Sequence, residues 1–230
     1  MMITDEEAIE QRHSVRQYTD EPISEADRAA LREEIERCNA EGNLHMALMC
    51  DEPEAFAGGL AHYGTFRGVS DYLVIAGEPA PDLDERAGYY GEKVVLLAQK
   101  LGLNTCWVAL TFKKRLVRKT IARGDKLAIV IALGHGATQG SPRKSKSAEA
   151  VSNCPVTAPE WFARGVELAL LAPTAINQQK FRFELLDAGG DASKPRVKAT
   201  TAPGPYADVD LGIAKLHFEL GAGADAFEWA

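Results

Sequence analysis

Apolar residues recur along this chain at two periods, and the changes from one to the other mark out its elements. Thr4 and Glu7 form a T-x-x-E capping box, which predicts a short first helix from about Asp5 to near Arg12. Ser24 and Asp27 cap a second helix, whose Leu31, Ile35 and Cys38 fall at i, i+4 and i+7. Residues 39–68 contain Gly, Pro and His without a period and read as irregular structure with short helices. DYLVIAGE (71–78) reads as a buried strand ending at Gly77. Residues 84–101 form a helix with Tyr90, Val94, Leu97 and Leu101 on one stripe, closed by Gly102 just past its end. NTCWVAL (104–110) is a strand, 111–122 a short basic helix, and LAIVIALGHG (127–136) another buried strand. Residues 137–153 lose the apolar period and cluster Gly, Pro, Ser and Lys, which marks a linker. Beyond it, Thr157 and Glu160 form another capping box with Pro159 in the first turn, and Phe162, Val166, Ala169 and Leu170 supply an apolar face. That helix stops near Ala172, because the residue before Pro173 avoids the α region. FRFELLD (181–187) alternates as a half-buried strand. Residues 207–222 form a last helix with Val209, Ile213, Leu216 and Leu220 inward, and Phe227 and Trp229 dock the tail.

The pattern also repeats weakly. GYYGEKVVLLAQKLGL (88–103) and DLGIAKLHFELGAG (210–223) each carry Gly near the start and close on a Leu-Gly step. The expected organisation is one domain over 1–230, made of a half-unit 1–136, a linker 137–156 and a half-unit 157–230.

Composition narrows the function classes. The chain has 230 residues, enough for one substantial core or two small ones, and a formal net charge of −7, which argues against nucleic acid as a partner. Its four cysteines make no C-x-x-C pair and have no His at zinc-finger spacing, so they read as free thiols in a reducing compartment. The polar, acid-bearing N-terminus is no signal peptide, and no apolar run approaches the roughly 20 residues that span a bilayer. A cytoplasmic protein with no membrane partner is expected.

Two segments hold the candidate chemistry. In RHSVR (12–16), Arg12 and Arg16 are permanent cations with fork-shaped donors suited to phosphate, and Ser14 donates to the same anion. In a helix residue 14 lies roughly 200° from residue 12, whereas an extended chain points 12, 14 and 16 the same way. A shared ligand therefore requires an extended segment; an exposed basic turn after the helix is the alternative. In APTAINQQ (172–179), Pro173 breaks a helix, and Thr174, Asn177, Gln178 and Gln179 offer donors and acceptors to a heterocycle edge or sugar hydroxyls, or simply cap the helix. Arg143, Lys144 and Lys146 put positive charge in the linker, where it either closes over a phosphate or is solvated.

These segments, with GLNTCWVA (102–109) and LAIVIALGHG (127–136), resemble the FMN-dependent nitroreductase family, and in particular members with two half-units in one polypeptide. The resemblance implies an α+β fold, nitroreductase-like, with a central, mostly antiparallel sheet flanked by helices. It implies that Arg12, His13, Ser14 and Arg16 match the segment holding FMN, with Arg12 and Ser14 at the phosphate and ribityl chain and Arg16 toward the pyrimidine edge. Pro173, Thr174, Asn177 and Gln179 match the segment that usually crosses from a second subunit. Cys106, Trp107 and Val108 match the strand beside the isoalloxazine, and Lys144 and Lys146 the late basic contacts to phosphate. The chain departs from the family pattern at Thr174, where Ser is usual, and at Lys180-Phe181, where Pro-Trp is usual.

The activity so implied is electron transfer from NAD(P)H through FMN to a nitroaromatic, quinone or similar small-molecule acceptor. The chain would act as a monomer imitating the family dimer, or as a weak homo-oligomer, with one FMN per chain. No G-x-G-x-x-G opens a βαβ unit, so the nicotinamide has to share the flavin cleft. No side chain stands out as an acid or nucleophile, and no metal is expected. Two rivals remain open: a flavin-binding storage or sensor protein without turnover, and a family relative that has lost the cofactor.

Overall fold

Strand alternation puts apolar side chains on both faces of one sheet, and that sheet organises the chain. The computed structural model describes residues 2–57, 66–153, 158–186 and 194–230. Strand β2 (Asp71–Gly77) is buried along its whole length. Its Leu73 and Ile75 enter the larger core, while Tyr72 and Val74 enter a second core with Phe56 and Phe112 on the opposite face. Strand β4 (Lys126–Gly134) does the same with Ile129, Ile131 and Leu133 against Val130 and Ala132. With β1 (His45–Met49) and β3 (Asn104–Val108) they form an antiparallel sheet in the order β1-β2-β4-β3. A sheet apolar on both faces must be covered on both, here by helices on one side and the aromatic cluster on the other.

Helix α1 (Asp5–Gln11) begins at the Thr4–Glu7 capping box and α2 (Glu25–Gly42) at the Ser24 cap, both as the sequence predicts. Helix α3 (Leu83–Lys100) is followed by Gly102 in the left-handed region. The short helices α4 (Lys114–Val117) and α5 (Ala148–Val151) lead to α6 (Glu160–Ala169) and α7 (Ala207–Ala222). A second sheet pairs β5 (Phe181–Leu186) with β6 (Arg196–Thr201) antiparallel and β6 with β7 (Glu228–Trp229) parallel. Phe181, Phe183 and Phe218 belong to the same core as Leu73 and Ile131, so the two sheets share one interior. The tail docks as expected: Phe227 stacks on Trp161 at 5.6 Å, and Trp229 Nε1 donates to Glu219.

Several expectations need correction. Residues 39–49 are not irregular: α2 runs through Gly42, turns at Asn43 in the left-handed region, and β1 follows. HMALM has little strand propensity and only Met46 is buried, so β1 exists because β2 offers it a ladder. The basic helix is shorter than 111–122, and β3 ends two residues before Leu110. Strand β6 had no counterpart in the sequence reading. The linker is no free tether: α5 forms within it and Ser152 bridges to Phe183. Thr157 and Cys154 lie outside the described residues; Cys38, Cys50 and Cys106 are free thiols. Among the described residues no helix is long and apolar enough to cross a membrane.

The two helices that echo one another in sequence, α3 and α7, cross at their glycines. A Cβ on Gly212 would lie 1.9 Å from the Glu85 carbonyl oxygen, and one on Gly88 would lie 2.0 Å from that of Val209. Backbone cannot rotate away from such a contact as a side chain can. Gly212→Ala gains about 1 kcal/mol of helix propensity but forces the crossing apart. A net loss of about 2 kcal/mol of unfolding free energy is expected, read as a lower midpoint in guanidinium titration.

Candidate functional site

Helix α1 ends where the chain becomes extended. Arg12 sits at φ −70°, ψ 126°, its N–H donating to Ala8 O, and Ser14 then pairs in parallel with Thr105 of β3. The extended segment expected from the RxSxR spacing is therefore present. Val15 N donates to Thr105 O at 3.0 Å, and the Tyr18 hydroxyl donates to Val15 O at 2.8 Å, fixing the segment against the central sheet. The alternate side chains reach different depths: Arg12 is 1% exposed, whereas Arg16 is exposed on the wall of a cleft.

The Arg12 guanidinium has no hydrogen-bond partner at any of its three nitrogens among the described residues. Its nearest counter-charge is the fully buried Glu92, 3.7 Å from Nε. Glu92 is already engaged: one carboxylate oxygen accepts from Trp107 Nε1 at 2.9 Å, and the other faces His217 Nε2 at 3.0 Å. The linker crosses the segment with Gly140 in the left-handed region, where a Cβ would lie 2.7 Å from that of His13. This close passage brings in Arg143, whose Nε and one terminal nitrogen are likewise buried without a partner. Burial and the neighbouring Arg12 cation together push the Arg143 guanidinium down to about 10, against the raising effect of Glu92. Burial and the same two cations lower His13.

His217 stands between the Leu168 carbonyl oxygen, 3.1 Å from Nδ1, and Glu92, 3.0 Å from Nε2. Arg12 and Arg143 thus face a single carboxylate that Trp107 and His217 also engage, and the cluster holds more guanidinium than counter-charge.

The second segment forms the opposite lip of the cleft. Thr174 is extended, and the next residues make a 3-10 turn (Ala175–Asn177) in which Ile176, Asn177 and then Gln179 all have positive φ. Buried Asp210 of α7 holds the turn: its carboxylate accepts from Ala175 N at 2.9 Å and 3.1 Å, and from Gln178 Nε2 at 2.7 Å. Asn177 and Gln179 turn toward the linker, both donating to Lys144 O. Lys146 answers from its side, Nζ donating to Gln179 O and its backbone N–H to Gln179 Oε1.

Between the lips lies a cleft of about 580 Å³. Of the residues singled out in the sequence, Ser14, Arg16, Trp107, Val108, Pro173 and Thr174 line it. Buried Arg12 and half-buried His13 belong to the basic cluster, and Cys106 is buried with its thiol raised by desolvation. Lys144, Lys146, Asn177 and Gln179 form the zipper just described; of the three linker cations, Arg143 is the one beside Arg12. Glu92, His217 and Asp210 were not anticipated. The sequence signal for them was polarity at inward helical positions, which is visible only once the helix faces are known.

A family model described as "Putative TM nitroreductase" matches residues 5–222. The chain belongs to this nitroreductase family. Its fold is similar to that of a putative nitroreductase from Thermotoga maritima, with TM-score 0.67 and 21% identity over 98% of this chain and 86% of that one. A putative nitroreductase from Desulfovibrio desulfuricans, solved in complex with FMN, is similar with TM-score 0.52 and 19% identity, over 65% of this chain and 95% of that one. A nitroreductase family protein from Clostridium difficile gives TM-score 0.51 and 17% identity, over 67% and 100%. No curated protein matches the chain.

Asp210 is the titratable carboxyl on the cleft wall of this nitroreductase-family chain whose ionisation is most displaced. Burial raises it to about 6, against the lowering effect of Gln178 and Ala175 N–H. A carboxyl that ionises later in the folded than in the unfolded state favours folding below the unfolded value and loses that contribution as pH rises through about 6. Relative to Asp210→Asn, the wild-type protein is therefore expected to lose about 2–3 kcal/mol of stability between pH 4 and 6. Urea unfolding midpoints across that range test this; parallel curves for the two proteins would remove Asp210 as the titrating group.

Proposed function

We propose that this protein is an FMN-dependent oxidoreductase whose cofactor phosphate is held by Arg12 and Arg143. The observation that carries the reading is a pair of cations, Arg12 buried and Arg143 half-buried, whose buried guanidinium nitrogens have no hydrogen-bond partner among the described residues. A phosphate monoester carries about −1.5 to −2 at neutral pH and offers acceptor oxygens to guanidinium forks. It matches the cluster in sign and hydrogen-bonding type. The FMN complex of the Desulfovibrio relative supports the choice of cofactor.

Bound FMN supplies the redox chemistry, and the protein supplies position and electrostatics. Ser14 stands on the cleft wall beside the basic segment, in place for the phosphate or ribityl chain. Arg16 puts a permanent cation on the same wall, where it stabilises negative charge arriving at a flavin ring edge. Trp107 and Val108 line one side for stacking, and Pro173 and Thr174 face them. Glu92 holds the Trp107 indole in place through its N–H. Leu110 and Ile176, 61% and 76% exposed, form apolar lips suited to a flat acceptor such as a nitroaromatic or quinone. NAD(P)H, as electron donor, shares this cleft, and the two lips come from one chain, so one FMN per monomer is expected.

Freshly purified protein should be yellow, contain flavin near one per chain, and bleach under anaerobic NADPH or NADH. Yellow protein that does not bleach would leave a flavin binder without turnover. Colourless protein that refuses added FMN, or a ratio near two, counts against the proposal.

A sharper test uses opposite signs. Arg143 has no carboxylate partner among the described residues and lies beside another cation. Arg143→Met should stabilise the flavin-free protein by about 1–2 kcal/mol, by removing a poorly compensated, half-buried charge. The same change should weaken FMN retention by about 1.5–3 kcal/mol, the worth of hydrogen bonds to a charged group. Arg12→Ala should weaken retention by a similar amount. Thermal melts and fluorescence titration with FMN read the two effects separately; unchanged retention in both variants would take these arginines out of the site.

A further inference from the structure

Next to the cleft, and sharing Ala109, Ile129 and Tyr206 with it, lies a second cavity of about 670 Å³. Its charged lining comes from α4 and the turn into β4: Lys114, Arg118, Arg123 and Lys126, with Asp125 the carboxylate among them. Lys126 Nζ is paired with Asp84 at 2.7 Å, and Asp125 faces His45 Nδ1 at 2.7 Å. The side chains of Lys114, Arg118 and Arg123 are exposed and have no ion-pair or hydrogen-bond partner among the described residues. Three unpaired cations thus line one cavity in a chain of formal charge −7. Like charges gathered without counter-charges raise the local potential and attract an anion. The shared wall residues place this basic lobe directly beside the apolar cleft.

We propose that the basic lobe is a subsite for a phosphate monoester on an aromatic ligand whose ring enters the adjoining cleft. The ligand of that chemistry is a pyridine dinucleotide bearing a 2′-phosphate. This rests on the redox reading of the cleft and extends it to the choice between the two nicotinamide donors. Arg118 and Arg123 offer planar forks that pair two oxygens of a phosphate at once, and Lys114 adds a point charge. A donor without the extra phosphate meets the same apolar wall but leaves these cations unpaired.

The test is calorimetric titration of the flavin-loaded protein, at low salt, with 2′,5′-ADP and with 5′-AMP. The 2′,5′-ADP is expected to bind about tenfold or more tightly than 5′-AMP, as for one added charge-assisted contact. Added salt should shrink that preference. The double substitution Arg118→Ala/Arg123→Ala should abolish it while flavin content and thermal midpoint stay at wild-type values. Lys114→Glu makes the same comparison through a separate side chain. Equal affinities for the two nucleotides overturn the proposal, as does a preference that survives both sets of substitutions. If the protein takes up no FMN, the cofactor reading fails, and the same titration on flavin-free protein still decides the basic lobe.

Discussion

One buried carboxylate ties the fold to the cleft. Glu92 has no solvent contact and sits on α3, facing α7 through His217, β3 through Trp107 and the N-terminal segment through Arg12. Inside a protein an unpaired charge costs several kcal/mol, so each of these partners is held where Glu92 requires it. The indole that forms the cleft wall and the guanidinium proposed to face a phosphate are therefore positioned by the same group. Breaking either contact disturbs the other, because a shared carboxylate cannot be re-satisfied from water. The balance still leaves positive charge over. Buried ion pairs are weak evidence of stability, and two guanidinium groups against one carboxylate that also engages His217 and Trp107 leave the cluster short of counter-charge.

The lip of the cleft shows the same preference. Six non-glycine residues have positive φ among the described residues, and four of them, Ile176, Asn177, Gln179 and Tyr206, lie in the two loops that border the cleft. A β-branched, exposed Ile176 in that region is costly, on the order of 1–3 kcal/mol, and persists because its surroundings hold it. Asp210 supplies that hold from below, and the Lys144–Lys146 stretch supplies it from the side. A strained turn fastened at both ends is rigid, and rigidity in a binding lip lowers the entropy lost when a flat ligand enters.

Elements set by local pattern were legible in the sequence. The capping box at Thr4, the cap at Ser24, the buried strands at 71 and 127, and the apolar stripe of α3 depend on neighbours within a turn or a strand, and each appears where the pattern puts it. Strand β1 depends on β2 for its existence, and HMALM has no pattern of its own to announce it. The extended run at 12–16 could be deduced because three side chains sharing one ligand admit only one backbone. The partners of Arg12 could not, since Glu92 is 80 residues away and reads as one more polar position on an amphipathic helix. The linker misled for the same reason. Its Gly, Pro and Ser composition describes a chain without regular structure, which is compatible with a segment packed tightly enough to bury Arg143.

That packed linker bears on how the site forms. Arg12 comes from the start of the chain, Arg143 from its middle, and His217, which shares the Glu92 carboxylate, from near its end. The basic cluster therefore assembles only when α3, α7 and the linker are all in place, at a crossing where glycines let backbone meet backbone. An anion binding there engages the native arrangement and not the unfolded chain, so it stabilises the fold by RT ln(1 + [L]/Kd). The same two guanidinium groups that oppose each other in the protein alone would then become a source of stability on binding. On the proposed reading, possession of the ligand and possession of the structure are coupled, without a separate device for either.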